Sequence, residues 1–235
     1  MMLVATGLAA AAIAAASFVP DAAAEAPAES TMSSAPPVVV NVVAGPHVSR
    51  TLISRLLDEA SAIWRPSGFA IVWRRAAPEI LPYARPTETG PFSWSALRVV
   101  IGDARGRSQE DRTPLGWIVF DGEHEPQREV YVSYANAKAL MEAARGIVGV
   151  IEQMPPAQRE ILLARAMGRA LAHELGHFLL ASKLHTPRGL LKAGRTAAEL
   201  FSTSRGGFKI DASQRQQIAA RLRGDAVAVS RKDPS

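Results

Sequence analysis

Five consecutive residues, His173-Glu174-Leu175-Gly176-His177, carry two imidazoles and a carboxylate at a spacing that suits one chemical task. On a helix, positions 173 and 177 lie on one face, one turn apart, where both imidazoles reach the same ion. Glu174 stands about 100° around the helix from His173. That places a carboxylate beside the ion, where it can take a proton from metal-bound water. With this composition, roughly 0.006 HExxH matches arise by chance in a chain of this length. The competing reading is a pair of histidines that pack or cap the helix, and it gives the glutamate between them no purpose. Gly176 also asks for a reason, because glycine costs about 1 kcal/mol in a helix interior. A close approach of a strand or of substrate to that face would supply one.

The chain has five histidines and no cysteine. Disulfides, thiolate metal sites and cysteine nucleophiles are therefore excluded, and any metal rests on histidine, carboxylate or water. A catalytic zinc takes three protein ligands and keeps a fourth position open. His185, eight residues beyond His177, is the candidate for the third: the helix is expected to end near 181–183 and the chain to turn back with this imidazole.

The elements that must position these groups follow from periodicity. The β-branched run 38–43 predicts a buried strand. Ser49 can cap a helix over 49–65, in which Ile53, Leu56, Leu57, Ala60, Ile63 and Trp64 recur at helical spacing. Strands are expected at 69–73 and 97–101, and a pair at 117–120 and 129–134 around a turn-rich segment. A helix follows over about 135–145. The longest helix opens at Pro155-Pro156, the second proline being suited to a first helical position, and carries the HELGH segment. Asp211 and Gln214 have the spacing of a capping box for a last helix through Arg223. The order gives an α+β fold, a twisted mixed sheet packed against long helices. Tyr131 and Tyr134, in a strand, read as packing residues.

The segment 173–191, HELGHFLLASKLHTPRGLL, resembles the metzincin clan of zinc metallopeptidases, whose pattern is HExxHxxGxxH followed by a methionine-containing turn. The likeness implies a zincin-type fold, Zn2+ as cofactor, His173, His177 and His185 as ligands, and Glu174 as general base. It extends over about 38–191, with specificity confined to those nineteen residues. Two extra residues precede the third histidine, Leu180 occupies the place of the turn glycine, and the segment 189–191 has no methionine. The pattern HELGH…H…GL[ML] is also similar to that of an exported bacterial family. In gluzincins the third ligand is a glutamate from a downstream helix, and Glu199 is the only glutamate after Glu174; Thr203 replaces the aspartate that often accompanies it. His124, in a charged turn between strands, is a further alternative.

The resemblance implies zinc-dependent hydrolysis of peptide bonds, with a peptide or protein substrate extended along an edge strand, either 117–120 or 129–134. The rival from another class is an exported binding or scaffold protein with a zinc site and no turnover. A fourth protein ligand would favour that rival, since structural zinc sites are closed. Hydrolysis of a non-peptide amide shares the same metal chemistry.

Composition sets the context. The chain has 235 residues, 48% hydrophobic and 21% charged, enough for a sizeable core. A net charge of +5 rests on 22 Arg and 5 Lys scattered along the chain, without a basic run interleaved with aromatics, so no nucleic-acid partner is expected. Residues 1–24 contain an uncharged apolar run ended by Pro20 and followed by small residues, which reads as an export signal, or as an N-terminal anchor where it is retained. Residues 25–37 are small, polar and Pro-rich and read as a linker. The expected organisation is thus 38–223 as the working domain and 224–235 as a tail, in a periplasmic or secreted protein. Membrane contact is expected only through the N-terminal segment.

Overall fold

Val38, Val40 and Val42 alternate with partly exposed neighbours along β1 (Val38–Ala44), and Leu97, Val99 and Ile101 do the same along β3 (Leu97–Gly102). This period of two gives the central strands one buried face. The computed structural model describes residues 35–75, 97–106, 113–122 and 125–230, with backbone alone for 225–230. The expectations for 1–24, most of 25–37 and His124 lie outside the described residues.

The sheet is completed by β2 (Ile71–Arg75), β4 (Gly116–Phe120) and β5 (Pro126–Ser133), in the order β2-β1-β3-β5-β4. Neighbours run parallel except β4, which pairs antiparallel with β5. The sheet is mixed and the fold is α+β, as the order of elements predicted. Two details are corrected: residues 129–133 belong to β5, an interior strand held by β3 and β4 on either side, so β4 is the edge strand next to the site, and Tyr134, expected in the strand, opens the helix that follows it. The second strand begins two residues later than its apolar run, because Gly68 ends a 3-10 turn with φ +84° and Phe69 is used to pack against Trp64, ring centroids 6.2 Å apart.

Six α-helices are described: α1 (Arg50–Trp64), α2 (Tyr134–Ala143), α3 (Arg145–Val148), α4 (Pro156–Leu180), α5 (Ala197–Phe201) and α6 (Ala212–Ser230). The Ser49 hydroxyl accepts from Leu52 N at 3.0 Å as the N-cap of α1 and donates to Glu160 of α4 at 2.6 Å, so one cap also ties two helices. The helix expected over 135–145 is broken at Ala144 into α2 and α3. The last helix has both halves of its capping box, Gln214 N to Asp211 at 2.8 Å and Asp211 N to Gln214 at 3.3 Å, and runs on to Ser230 rather than stopping at 223. Among the described residues no helix is long and apolar enough to cross a membrane.

The long helix α4 is the centre of the molecule. Its buried side, from Leu162 through Leu179, packs against the sheet and against α1. Gly168 permits that contact: a Cβ there would stand 2.6 Å from Leu56 O and 2.7 Å from Glu59 Cβ. Arg169, with its side chain fully buried, pairs with Glu59 of α1 at 3.0 Å. An uncompensated charge at such depth would be costly, and Arg205 meets the second Glu59 oxygen at 2.6 Å.

Candidate metal centre

His173 and His177 sit in the last two turns of α4, on one face, as their spacing requires. The helix ends at Leu180, and Ala181 takes the left-handed conformation with φ 48°. A non-glycine residue adopts that conformation at a cost of roughly 1–2 kcal/mol, offset here by bonds that close the helix. Ala181 N and Ser182 N donate to carbonyls of the final turn, each at 3.2 Å, and Arg221 of α6 donates to Phe178 O at 2.9 Å. The turn returns the chain and brings His185 to the two helical histidines. The three ligand atoms lie within 4.8 Å of one another, and the His185 ring stands 5.3 Å from His173 and 4.8 Å from His177, centroid to centroid. Among the described residues no fourth histidine, aspartate or glutamate belongs to this group.

The hydrogen bonds of the two helical rings decide what the group is suited to hold. His173 Nδ1 lies 2.9 Å from Leu190 O, and His177 Nδ1 lies 2.7 Å from Ser182 O. A carbonyl only accepts, so both rings donate from Nδ1 and both keep a lone pair on Nε2. The two Nε2 atoms face each other at 3.0 Å. Burial holds His173 at about 3, with the neighbouring His177 adding to the effect, and burial lowers His177 too, which favours neutral rings with Nε2 unprotonated. Two facing lone pairs repel unless a cation lies between them. Imidazoles bound to a tetrahedral zinc at about 2.05 Å have their nitrogens about 3.3 Å apart. The residues present therefore fit a divalent metal of that kind, with backbone carbonyls orienting two ligands.

Glu174 is 8% exposed and leans on the first residue of the edge strand, its Cγ 3.0 Å from where a Cβ on Gly116 would stand. Burial pushes its carboxyl up to about 8. A cavity of about 780 Å³ opens beside His173 and Glu174, walled by Leu115, Leu140, Leu190, Leu200 and Phe208 among others.

Glu199 is not part of the histidine group. Its carboxylate accepts from Lys192 at 2.8 Å, from Thr196 N at 2.9 Å and from Arg195 at 3.2 Å, which holds it down at about 2. It caps α5 in a capping box with Thr196. The close approach at Gly176 comes from neither a strand nor a substrate: Leu191 Cδ2 lies 2.8 Å from the place of its missing Cβ. The segment 189–191 thus packs directly under the HELGH turn. Tyr131 stacks on Trp117 across β4 and β5, centroids 5.1 Å apart, a packing role as its strand position implied.

Three participants escaped sequence reasoning. Gly116 and the Leu190 carbonyl leave no signature, because one acts by lacking a side chain and the other through its backbone. Arg169 had a signal, a charge one turn before His173 in a stretch whose neighbours Ala166, Met167, Leu171 and Ala172 are apolar and buried.

No protein-family profile matches the chain, and no curated protein matches it. Among solved structures, archaemetzincin from Methanopyrus kandleri is similar at a TM-score of 0.46 and 14% identity, covering 80% of this chain and 96% of that one.

Proposed function

We propose that this chain is an exported zinc-dependent peptidase in which His173, His177 and His185 hold the metal and Glu174 is the general base. The observation that carries the reading is the pair of Nε2 atoms 3.0 Å apart, each left with a lone pair by an Nδ1–H that donates to a carbonyl. Zinc, when bound, supplies a Lewis acid that polarises a carbonyl and acidifies a water.

The chain's own residues do the rest. Glu174 accepts the proton of the attacking water on its carboxylate and returns it to the leaving amine. A carboxyl lifted by burial towards neutrality, and drawn back by a nearby cation, is suited to both halves of that exchange. Among the described residues β4 pairs on one side alone, and its outer edge, beginning at Gly116 beside Glu174, offers backbone groups to an extended peptide. The cavity beside His173 excludes water from one substrate side chain. Residues 1–24 would act as export signal or anchor and 25–37 as linker, with the chemistry carried by 38–223.

Metal analysis with peptide hydrolysis tests the proposal. The purified protein should hold about one zinc per chain and cleave a mixed peptide library, and Glu174→Ala should keep the metal and lose turnover. Hydrolysis by Glu174→Ala at the parent rate would refute the role of the glutamate. A zinc-loaded protein that cleaves nothing would favour the binding or scaffold reading instead.

A further inference from the structure

The turn over residues 189–192 holds two of the three histidines. Leu190 O accepts from His173 Nδ1 at 2.9 Å, and Leu191 O accepts from Thr186 N, the residue after His185, at 2.9 Å. Leu191 also presses on Gly176 inside the HELGH segment. Whatever fixes this turn fixes the direction of the His173 ring and the backbone that carries His185.

Two features of the backbone fix it in part. Leu190 N donates to Lys209 O at 2.8 Å, and Gly189 adopts φ +79°, where a Cβ would stand 2.8 Å from the same carbonyl. The third is a side chain. Arg195, only 10% exposed, donates through Nη2 to Gly189 O and to Gly207 O, the latter at 2.9 Å. Its Nη1 meets Glu199 at 3.2 Å, and the guanidinium lies over the Phe208 ring at 4.2 Å. One planar cation thereby joins the turn under the histidines, the segment 206–208 and the cap of α5. A lysine has a single ammonium and no plane to stack, so it cannot reproduce this set.

We propose that Arg195 is a positioning residue for the metal centre: through Gly189 it holds the 189–192 turn, and through that turn it sets the Nδ1–H tautomer of His173 and the approach of His185. The inference rests on the reading of the histidines as ligands. Outer partners of metal-binding histidines typically change affinity 10–100-fold when lost.

The test compares wild type, Arg195→Met and Arg195→Lys, with Arg165→Met as control. Arg165 of α4 holds Phe201 O at 3.3 Å and touches neither the turn nor the histidines. Zinc affinity is read by competition with a chromophoric chelator, and the His173 ring tautomer by nitrogen-15 NMR of the chelator-treated protein. Arg195→Met should weaken zinc about 10–100-fold and mix the His173 tautomers. Arg195→Lys should fall between it and wild type, and Arg165→Met should change neither readout. An Arg195→Met protein that melts earlier but keeps the parent zinc affinity and a pure Nδ1–H ring would overturn the proposal. Should Arg195→Met fail to fold, unchanged affinity and tautomer in Arg195→Lys overturn it equally. A wild type that binds no zinc defeats the metal reading and the metal part of this inference with it, while the ring spectrum still decides whether Arg195 sets the His173 tautomer.

Discussion

Glu174 of the central helix rests against Gly116 at the start of the edge strand, its Cγ 3.0 Å from the position of a Cβ that glycine lacks. The same Cβ would stand 3.1 Å from Tyr131 O, a backbone atom fixed by the sheet. An added methyl group therefore displaces the side chain rather than the strand. Misplacement of a catalytic group by about 1 Å can cost on the order of 100-fold. Gly116→Ala moves Glu174 by a few tenths of an ångström and should lower kcat about tenfold. The histidines do not touch this position, so zinc content should stay at the parent value. Steady-state peptide hydrolysis with metal analysis checks both halves, and a loss of metal in Gly116→Ala would contradict the assignment.

Glu174 and the histidines also give the chelator-treated protein opposite pH dependences. Burial lifts Glu174 from 4.5 to about 8, so between those values the folded state keeps a proton that the unfolded state has released. Stability from this group is full at low pH and falls as pH rises. His173 runs the other way: it is held at about 3, so the unfolded state takes up the proton first, and stability is lost as pH drops below 6.5. His177 and His185 are lowered as well and add to that acid-side loss. From pH 6.5 to 8 the Glu174 contribution falls by about 2 kcal/mol at most, offset in part by the histidines, which in the unfolded chain lose their remaining protons over the same range. Urea unfolding at the two pH values should show that decline in wild type and not in Glu174→Gln. Zinc should flatten it, because a nearby cation draws the carboxyl down.

How much of this was legible in the sequence depends on whether a residue acts through its own type or through its neighbours. Valines alternating along β1, a serine before α1 and the Asp211–Gln214 box specify local structure, and their elements stand where periodicity put them. His173 and His177 were legible because helix geometry alone aligns them. His185 needed a turn whose closing residue, Ala181, carries no sequence mark of the left-handed region. The edge strand was ambiguous because strand order is set by tertiary pairing, and 117–120 and 129–134 look alike in isolation. Glu199 drew attention as a carboxylate after the motif, yet its position beside Lys192, Arg195 and Thr196 could not be read from spacing.

Gly168 offers a test of packing in which two effects oppose each other. Alanine gains about 1 kcal/mol over glycine in a helix interior. A Cβ at 168 would, however, lie 2.6 Å from Leu56 O and 2.7 Å from Glu59 Cβ, so α1 and α4 must separate. Overpacking of this kind costs about 1–3 kcal/mol, and contact with a backbone carbonyl leaves little room to yield. Gly168→Ala should therefore destabilise the protein, lowering Tm by about 2–8 °C in a thermal melt. A higher Tm would show that helix propensity outweighs the contact.

Arg169 is the most heavily bonded side chain near the site. Besides Glu59 it donates to Ser202 O at 2.8 Å and Ser204 O at 3.0 Å, and also to Glu199 O and Leu200 O. Arg169→Met leaves Glu59 buried with Arg205 as its remaining partner and strips those carbonyls. Breaking a buried pair from one side costs about 3–5 kcal/mol. Denaturant titration should show a loss of that size. Glu59→Gln in the same background should not recover it, because the Glu59 carboxylate still has Arg205 as its partner.

The identity of the third ligand separates two readings of the sequence that the geometry does not leave equal. His185 presents a ring within reach of both helical histidines, whereas the Glu199 carboxylate is engaged by Lys192, Arg195 and Thr196. To bind a metal, Glu199 would have to give up two cations and uncap α5, a cap alone being worth about 1 kcal/mol. His185→Ala should therefore weaken zinc by more than the 10–100-fold expected for an outer partner. Glu199→Ala should retain about one zinc per chain after dialysis and lose thermal stability. If Glu199→Ala emerged without metal while His185→Ala kept it, the third ligand would have to be reassigned to the glutamate, with α5 rearranged to deliver it.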